Sequence, residues 1–418
     1  MGGKLITLIV IVLGVIAIAQ LVRVYELTSK LRNRGEHDIT ERDNNLNGKM
    51  MFGFMLAMYA FFFYLMATFG WTGRGEAASN IGKETDWLLD LNFIIIIAVF
   101  FLTNTLLFYF SYKYVRKPGV KALYFPHNNK LEMIWTIVPA CVLAVIIILG
   151  LKKWNDATGD AKKEAIRVEL FSKQFDWTAR YSGKDNQLGR FDYKLTTDNN
   201  ELALLTAETI DSAIASMENG PNGIKTLESK LNDAKLMMIP EDREKMETDL
   251  SRKQRMIRLL YQMKERHDNK SDKAVWDDVI QKDTLFLCVN KEYEFNFRAK
   301  DVIHSAFFPH FRAQMNTVPG MVTRFKFTPD IATKDMRERM NNPKFNYVLM
   351  CNKICGGAHY KMKMIVVVLE ETQYKSWMAS KKSFKDSYFA AAAAAAAPAT
   401  MPADSTAVAK DSVSVAMN

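Results

Sequence analysis

Cys351-Asn352-Lys353-Ile354-Cys355-Gly356-Gly357-Ala358-His359-Tyr360-Lys361-Met362 lies near the C-terminal end of the chain, and a lone His304 stands upstream in Asp301-Val302-Ile303-His304-Ser305. Two thiols, two imidazoles and a thioether form the ligand set that copper prefers. Soft sulfur with imidazole selects copper or zinc, and a weak Met beside Cys and His points to electron-transfer copper. One Cys would suggest a mononuclear site. Two Cys four residues apart on one loop can bridge two metals through both sulfurs.

Other readings of these residues exist. A lone Cys or His is more often a packed core residue than a ligand. Two Cys and a His at close spacing also suit half a zinc site, although zinc sites rarely recruit Met. A Cys351–Cys355 disulfide is open to a domain in an oxidising compartment, as a failure mode of the metal-free form. The remaining histidines, His37, His127, His267 and His310, carry no ligand pattern, and His310 reads as a polar neighbour of the site. Cys141 and Cys288 sit in apolar runs and read as inert core thiols. No Cys-x-x-Cys-His occurs, so the sequence offers no c-type haem attachment.

The segment resembles the binuclear CuA site of cytochrome c oxidase subunit II. The resemblance implies that Cys351 and Cys355 bridge two coppers and that His304 and His359 each cap one. Met362 and the Lys353 carbonyl would be the weak outer ligands. A second match is Glu132-Met133-Ile134-Trp135-Thr136-Ile137-Val138-Pro139-Ala140, similar to the family's Glu-x-x-Trp-Thr-x-x-Pro-Ala signature in its second membrane helix. There the glutamate marks the cytoplasmic mouth of a proton pathway, which Glu132 would occupy. An ionisable side chain at such a helix end is otherwise a snorkelling one.

Four apolar stretches, Leu5–Val22, Met50–Gly70, Leu91–Phe110 and Leu131–Leu151, approach the roughly 20 residues that a bilayer requires. The first resembles a signal-peptide core but ends in Ala19-Gln20-Leu21-Val22-Arg23-Val24, a poor cleavage site, and reads as a retained helix. Arg23, Lys30, Arg32, Arg34, Arg42 and Lys49 crowd the first connection, and Lys113, Arg116, Lys117, Lys121 and Lys130 the third. The second holds only Arg74 and Lys83. The positive-inside tendency makes the first and third connections cytoplasmic. Everything after Leu151 then lies outside, on the periplasmic side of a bacterial inner membrane. Family members have two membrane helices, so residues 1–72 are an added pair before the family hairpin at 89–154. The aromatic face around Tyr59–Tyr64 suits either lipid or a partner helix.

After Trp154 alternating apolar runs begin at Ala165, Thr284, Glu292, Met321, Tyr347 and Met364, each a strand pattern. The expected fold is membrane helices followed by an all-β domain at 155–380. The resemblance makes that domain a cupredoxin-like sandwich, with the Cys loop joining the last two strands and His304 in a loop. Residues 183–283 form a charged insertion with a helical hairpin. Pro240 opens its long helix, and Gly223–Leu231 is the candidate antiparallel partner. From 383 to 418 the Ala-rich, Pro-containing end reads as a disordered tail.

Three departures bear on mechanism. The family's Gln-Trp-x-Trp is Gln174-Phe175-Asp176-Trp177 here, so the electron-entry position is Phe175, with Trp177 behind it. Lys353 replaces a glutamate that holds magnesium in the family, and a protonated amine offers a cation no lone pair. The chain carries a formal charge of +10, with Arg312, Lys353, Lys361 and Lys363 near the motif. A soluble basic cytochrome c would want an acidic patch. The donor implied is a tethered cytochrome c, as in a supercomplex with an alternative complex III.

The resemblance thus implies subunit II of an aa3-type-like oxidase, working beside subunit I and other oxidase subunits in membrane lipid, with no nucleic-acid partner. The O2-reducing haem site would lie in subunit I. The rivals are the CuA subunit of a nitric oxide reductase and a membrane-anchored copper delivery or storage module. The second leaves Glu132 and Trp135 unexplained.

Overall fold

Runs of apolar residues set the first half of the molecule and alternating aromatics the second. The computed structural model describes residues 2–31, 40–70, 74–233 and 237–396, which leaves His37 and the basic pair Arg32 and Arg34 outside the described residues. Four long helices come first: α1 (Gly2–Leu31), α2 (Glu41–Phe69), α3 (Asn80–Lys113) and α4 (Asn129–Thr158). All four are long and apolar enough to cross a membrane. The contact pattern divides the chain into one unit of 1–75 with 88–148 and a second of 76–87 with 149–418.

Within the first unit, α2 packs on α3 along one face. Gly48 lies close to the chain just past α3, since a Cβ there would stand 2.8 Å from Val115 Cγ1. Further along, the Tyr59 hydroxyl lies 2.9 Å from Thr105 Oγ1 and donates to the Phe101 carbonyl. Phe62 stacks on Phe100 and Phe63 on Phe101. The aromatic face of α2 is therefore a helix–helix seam, while Phe61 and Tyr64 are exposed. Cys141 on α4 is also exposed, not packed in a core as expected.

The second unit is a two-sheet sandwich. Its elements in order are β1 (Ile166–Lys173), β2 (Asp176–Tyr181), α5 (Ala207–Asn219), α6 (Ile224–Asn232), α7 (Pro240–Arg266), α8 (Lys273–Trp276), β3 (Val279–Lys282), β4 (Thr284–Cys288), β5 (Tyr293–Ala299), β6 (His304–Phe308), β7 (Ala313–Thr317), β8 (Thr323–Phe327), α9 (Thr333–Arg339), β9 (Tyr347–Cys351), β10 (Lys363–Leu369), α10 (Glu371–Ala379) and α11 (Phe384–Ala396). One sheet runs β3-β2-β1-β5-β8 and the other β4-β10-β9-β6-β7. Alternation explains the core: Tyr293, Phe295 and Phe297 of β5 face Phe308, Tyr347, Leu349, Met364 and Val366 from the other sheet. Each such aromatic or aliphatic side chain contributes about 1.5–3 kcal/mol by leaving water. This is a two-sheet β-sandwich, as expected.

The helical hairpin of α6 and α7 is present and gains a third helix. Three helices pack together, because α5 lies against α7 as well as α6, burying Ile210, Ala213, Ile214 and Leu260. Sequence reasoning missed α5, although the Thr206 and Thr209 hydroxyls give it a capping box. The tail is corrected. Residues 384–396 are helical, and Phe384 and Tyr388 are buried against Trp276 of α8. Poly-alanine is marginal as an isolated helix, but these aromatic anchors supply the tertiary contact that it lacks. Residues 397–418 lie outside the described residues.

Beneath the insertion β1 is buried on both faces. Glu169 bonds Arg180 at 2.7 Å and pairs in two-pronged fashion with Arg298 at 2.6 and 2.8 Å, while Arg180 also reaches Asp278 at 2.9 Å. Burial alone would raise the Glu169 carboxyl, but the two guanidiniums outweigh it and hold it below its usual value. Asp278 is pushed up to about 7, chiefly by burial, against the pull of Arg180 and the Gly189 N–H. An unfolded Asp releases its proton near pH 3.9. The folded state therefore holds a proton that the unfolded state gives up, and this contribution to stability is lost as pH rises from about 4 to about 7. Asp278→Asn should gain on the parent chain in thermal unfolding midpoint as pH rises through that window. A constant gap would refute the assignment.

Candidate metal centre

Hydrogen-bonded strands bring together ligands that are far apart in sequence. Cys351 ends β9, and its N–H donates to the Met362 carbonyl at 3.0 Å, which closes the base of the Cys loop. His304 was expected in a loop. It opens β6 instead, paired with Thr317 of β7, and is fully buried. A ligand on a strand is held more rigidly than one on a loop.

Cys351 Sγ lies 3.8 Å from Cys355 Sγ and 3.9 Å from His304 Nδ1. These three donor atoms all fall within 4.8 Å of one another. His359 Nδ1 lies 3.5 Å from the other sulfur, Cys355, and outside that trio. Met362 Sδ stands 3.8 Å from Cys355 Sγ, and the Lys353 carbonyl accepts from Cys351 Sγ at 3.2 Å. Cys351, Cys355, His304 and Met362 are buried, whereas Lys353 and Ile354 are exposed. The six residues named from the sequence each place a donor atom within 3.9 Å of Cys351 Sγ or Cys355 Sγ.

The donor chemistry fits copper. Two sulfurs with one imidazole beside each, and a thioether and carbonyl at the margin, are soft donors of the kind copper takes. Asp301 Oδ1 sits 2.9 Å from His304 Nε2, leaving Nδ1 to face the sulfurs. Burial alone would raise Asp301, but hydrogen bonds from His304 and the Gln174 and Val302 N–H groups hold it below its ordinary value. Such a carboxylate fixes the tautomer and orientation of a ligating imidazole. The Cys355 thiol is pushed up to about 11, first by burial and then by its hydrogen bond and charge interaction with Cys351. Metal entry must therefore release protons.

The remaining predicted residues are dispersed around this cluster. Trp177 is wholly buried, edge-on to His304 with ring centroids 6.3 Å apart. Phe175 is half-buried and meets Gly356 of the Cys loop. Glu132 belongs to the first unit, in the first turn of α4, where its carboxylate accepts from the Asn128 N–H at 3.3 Å. His310 is packed edge-on against Phe345 and Tyr347 and touches no ligand. Arg312 is bonded to Asp86 at 3.0 and 3.1 Å, so its charge is countered, leaving Lys353, Lys361 and Lys363 exposed near the loop.

Sequence reasoning missed a segment that the sandwich incorporates. Ala77, Ala78, Ser79 and Ile81 are buried, with Ala78 N–H donating to the His310 carbonyl at 2.8 Å and Ser79 Oγ to the Phe311 carbonyl at 2.8 Å. Asp330 N–H returns a bond to the Ala78 carbonyl at 3.1 Å. Residues 76–87 therefore belong to the same unit as the Cys loop.

Residues 67–152 match the family model described as the transmembrane domain of cytochrome c oxidase subunit II. The alternative cytochrome c oxidase subunit 2 of Bradyrhizobium diazoefficiens is 26% identical over 333 residues, covering 79% of this chain and 90% of that one. Cytochrome c oxidase subunit 2 of Cereibacter sphaeroides is 22% identical over 310 residues, covering 74% and 80%. Among solved structures, the periplasmic domain of subunit II of cytochrome oxidase from Bradyrhizobium japonicum aligns over 53% of this chain and 96% of that one, at 15% identity and a TM-score of 0.26. The membrane-helix match and the long alignments to whole relatives point the same way: the chain is similar to cytochrome c oxidase subunit II.

Proposed function

We propose that this chain is the electron-entry subunit of an aa3-type-like cytochrome c oxidase, taking electrons from a cytochrome c donor at binuclear CuA and relaying them to haem in subunit I. The observation that carries the reading is the paired arrangement of Cys351 with His304 and Cys355 with His359 around a 3.8 Å sulfur–sulfur gap. Cys351 and Cys355 would hold both metals, His304 and His359 one each, with Met362 and the Lys353 carbonyl as outer donors. Bound copper would supply one-electron redox chemistry shared over two centres. Asp301 holds the His304 ring, and the buried surroundings exclude water from the sulfurs.

Trp177, edge-on to His304, serves in this reading as an inner contact, with the half-buried Phe175 at the electron-entry position. The exposed lysines disfavour a strongly basic soluble donor and favour a tethered one. Glu132 is proposed as the proton-pathway entrance. The copper domain is proposed to face the periplasm from the bacterial inner membrane, with residues 1–72 as an added helix pair, 89–154 as the family hairpin and 183–283 as an insertion.

The test is copper per chain and the EPR spectrum of the purified full-length protein. Two coppers sharing one unpaired electron are expected. One localised copper, or metal stripped quickly by a chelator, would overturn the reading in favour of copper delivery.

A further inference from the structure

We infer that Gln174 is a positioning residue that locks the two copper-ligand loops to each other, an inference that rests on the copper reading above. Gln174 sits in the turn between β1 and β2 and reaches both loops at once. Its side-chain Nε2 donates to the Cys355 carbonyl. Its backbone N–H donates to Asp301 Oδ2 at 2.7 Å, and the other oxygen of that carboxylate lies 2.9 Å from His304 Nε2. One residue outside the proposed ligand set therefore ties the Cys355 carbonyl to the carboxylate behind the His304 imidazole.

The Cys loop needs such a tether. Between Cys351 and Cys355 the residues Asn352, Lys353 and Ile354 are exposed, and the two glycines after Cys355 are exposed as well. On the side of Cys355, the loop lies flat on the β1–β2 turn. A Cβ at Gly356 would come within 2.8 Å of Gln174 Nε2 and 2.9 Å of Phe175 Cζ, and the Gly356 φ of +138° belongs to glycine. The missing side chain at Gly356 is what admits the Gln174 amide to the Cys355 carbonyl. Phe175 then acts as the neighbouring wall of this seat, a role independent of electron entry.

An amide side chain is suited to the task because it donates without carrying charge. Glutamate at the same position has the same length and shape but, when ionised, only accepts. It would set a carboxylate against the Cys355 carbonyl. Partners of metal ligands typically alter metal affinity by about 10–100-fold when removed.

The test compares the full-length protein with Gln174→Ala and Gln174→Glu, each loaded with copper. Both variants are expected to lose copper to a competing chelator about 10–100-fold faster than the parent. Both should also show changed copper hyperfine coupling in EPR, with an unchanged unfolding midpoint of the metal-free chain. A Gln174→Glu variant that behaves like the parent would overturn the inference, since a space-filling role survives that substitution. A metal-free arm separates the two readings. Alkylation of Cys355 should quicken several-fold in Gln174→Ala, and an unchanged rate overturns the tether whether or not copper binds. A parent chain that fails to hold two coppers overturns the copper reading instead.

Discussion

Glu169→Ala is expected to remove about 3–5 kcal/mol of stability, the usual cost of leaving a buried charge without its partner. Marginal stabilities of about 5–15 kcal/mol make that a large fraction of the whole. Glu169 is the only carboxylate among the described residues that bonds both Arg180 and Arg298, and its side chain is 3% exposed. Its loss strands Arg298, whose remaining hydrogen bond is to the Leu202 carbonyl. Arg180 keeps Asp278, but that carboxyl sits near pH 7 in its titration and is a weaker counter-charge. Chemical unfolding of the full-length chain measures the effect. A double variant, Glu169→Met with Arg298→Met, should recover much of the loss, because removing both charges also removes their desolvation cost. If the single substitution changes the unfolding free energy by less than about 1 kcal/mol, the ionic cluster is not a stabilising one.

A soluble fragment running from Trp154 to Trp377 is expected to fold poorly or lose copper readily, although it contains every proposed metal ligand. It omits Ala77–Ile81, whose backbone pairs with His310, Thr328 and Asp330, and it omits Asp86, the partner of Arg312. It also omits α11, which covers Trp276 and Val275. Each unpaired buried backbone group costs about 1–3 kcal/mol. A fragment with the melting temperature and copper retention of the full-length protein would show that the second connection merely rests on the sandwich. Within the full chain, Ala78→Asp offers the same test at one residue, since it places a charge at a fully buried position.

These two expectations mark where the sequence stops being legible. The Cys loop could be read because its ligands fall within twelve residues and copper demands their chemical types. The strands β4, β5, β8, β9 and β10 could be read because their inward side chains alternate, and β1 because Arg167 and Glu169 alternate with apolar residues although both of its faces are buried. β6 could not, because His304, Ser305 and Ala306 are all buried and show no alternation. The segment at Ala77 was invisible for a related reason. Its buried residues are small, and packing of small side chains leaves no hydrophobic signal. Gln174 stood in plain view beside a recognised motif, yet its partners Asp301 and Cys355 lie 127 and 181 residues away. Helix α11 was read as a tail because its anchor, Trp276, is equally remote. The type of each ligand is a local property, whereas what steadies it belongs to the fold.

The contact between Trp276 and the C-terminal helix also has a historical consequence. Trp276 belongs to the insertion and Phe384, Tyr388 and Phe389 to the C-terminal extension, and the four rings sit within 5.9 Å of a neighbour, centroid to centroid. Neither segment covers its own aromatics. A lineage that shed one would be left with a sticky, water-exposed surface on the other. The two segments should therefore be gained or lost together across descendants of a common ancestor, travelling as a single heritable unit despite the strands β4 to β10 encoded between them.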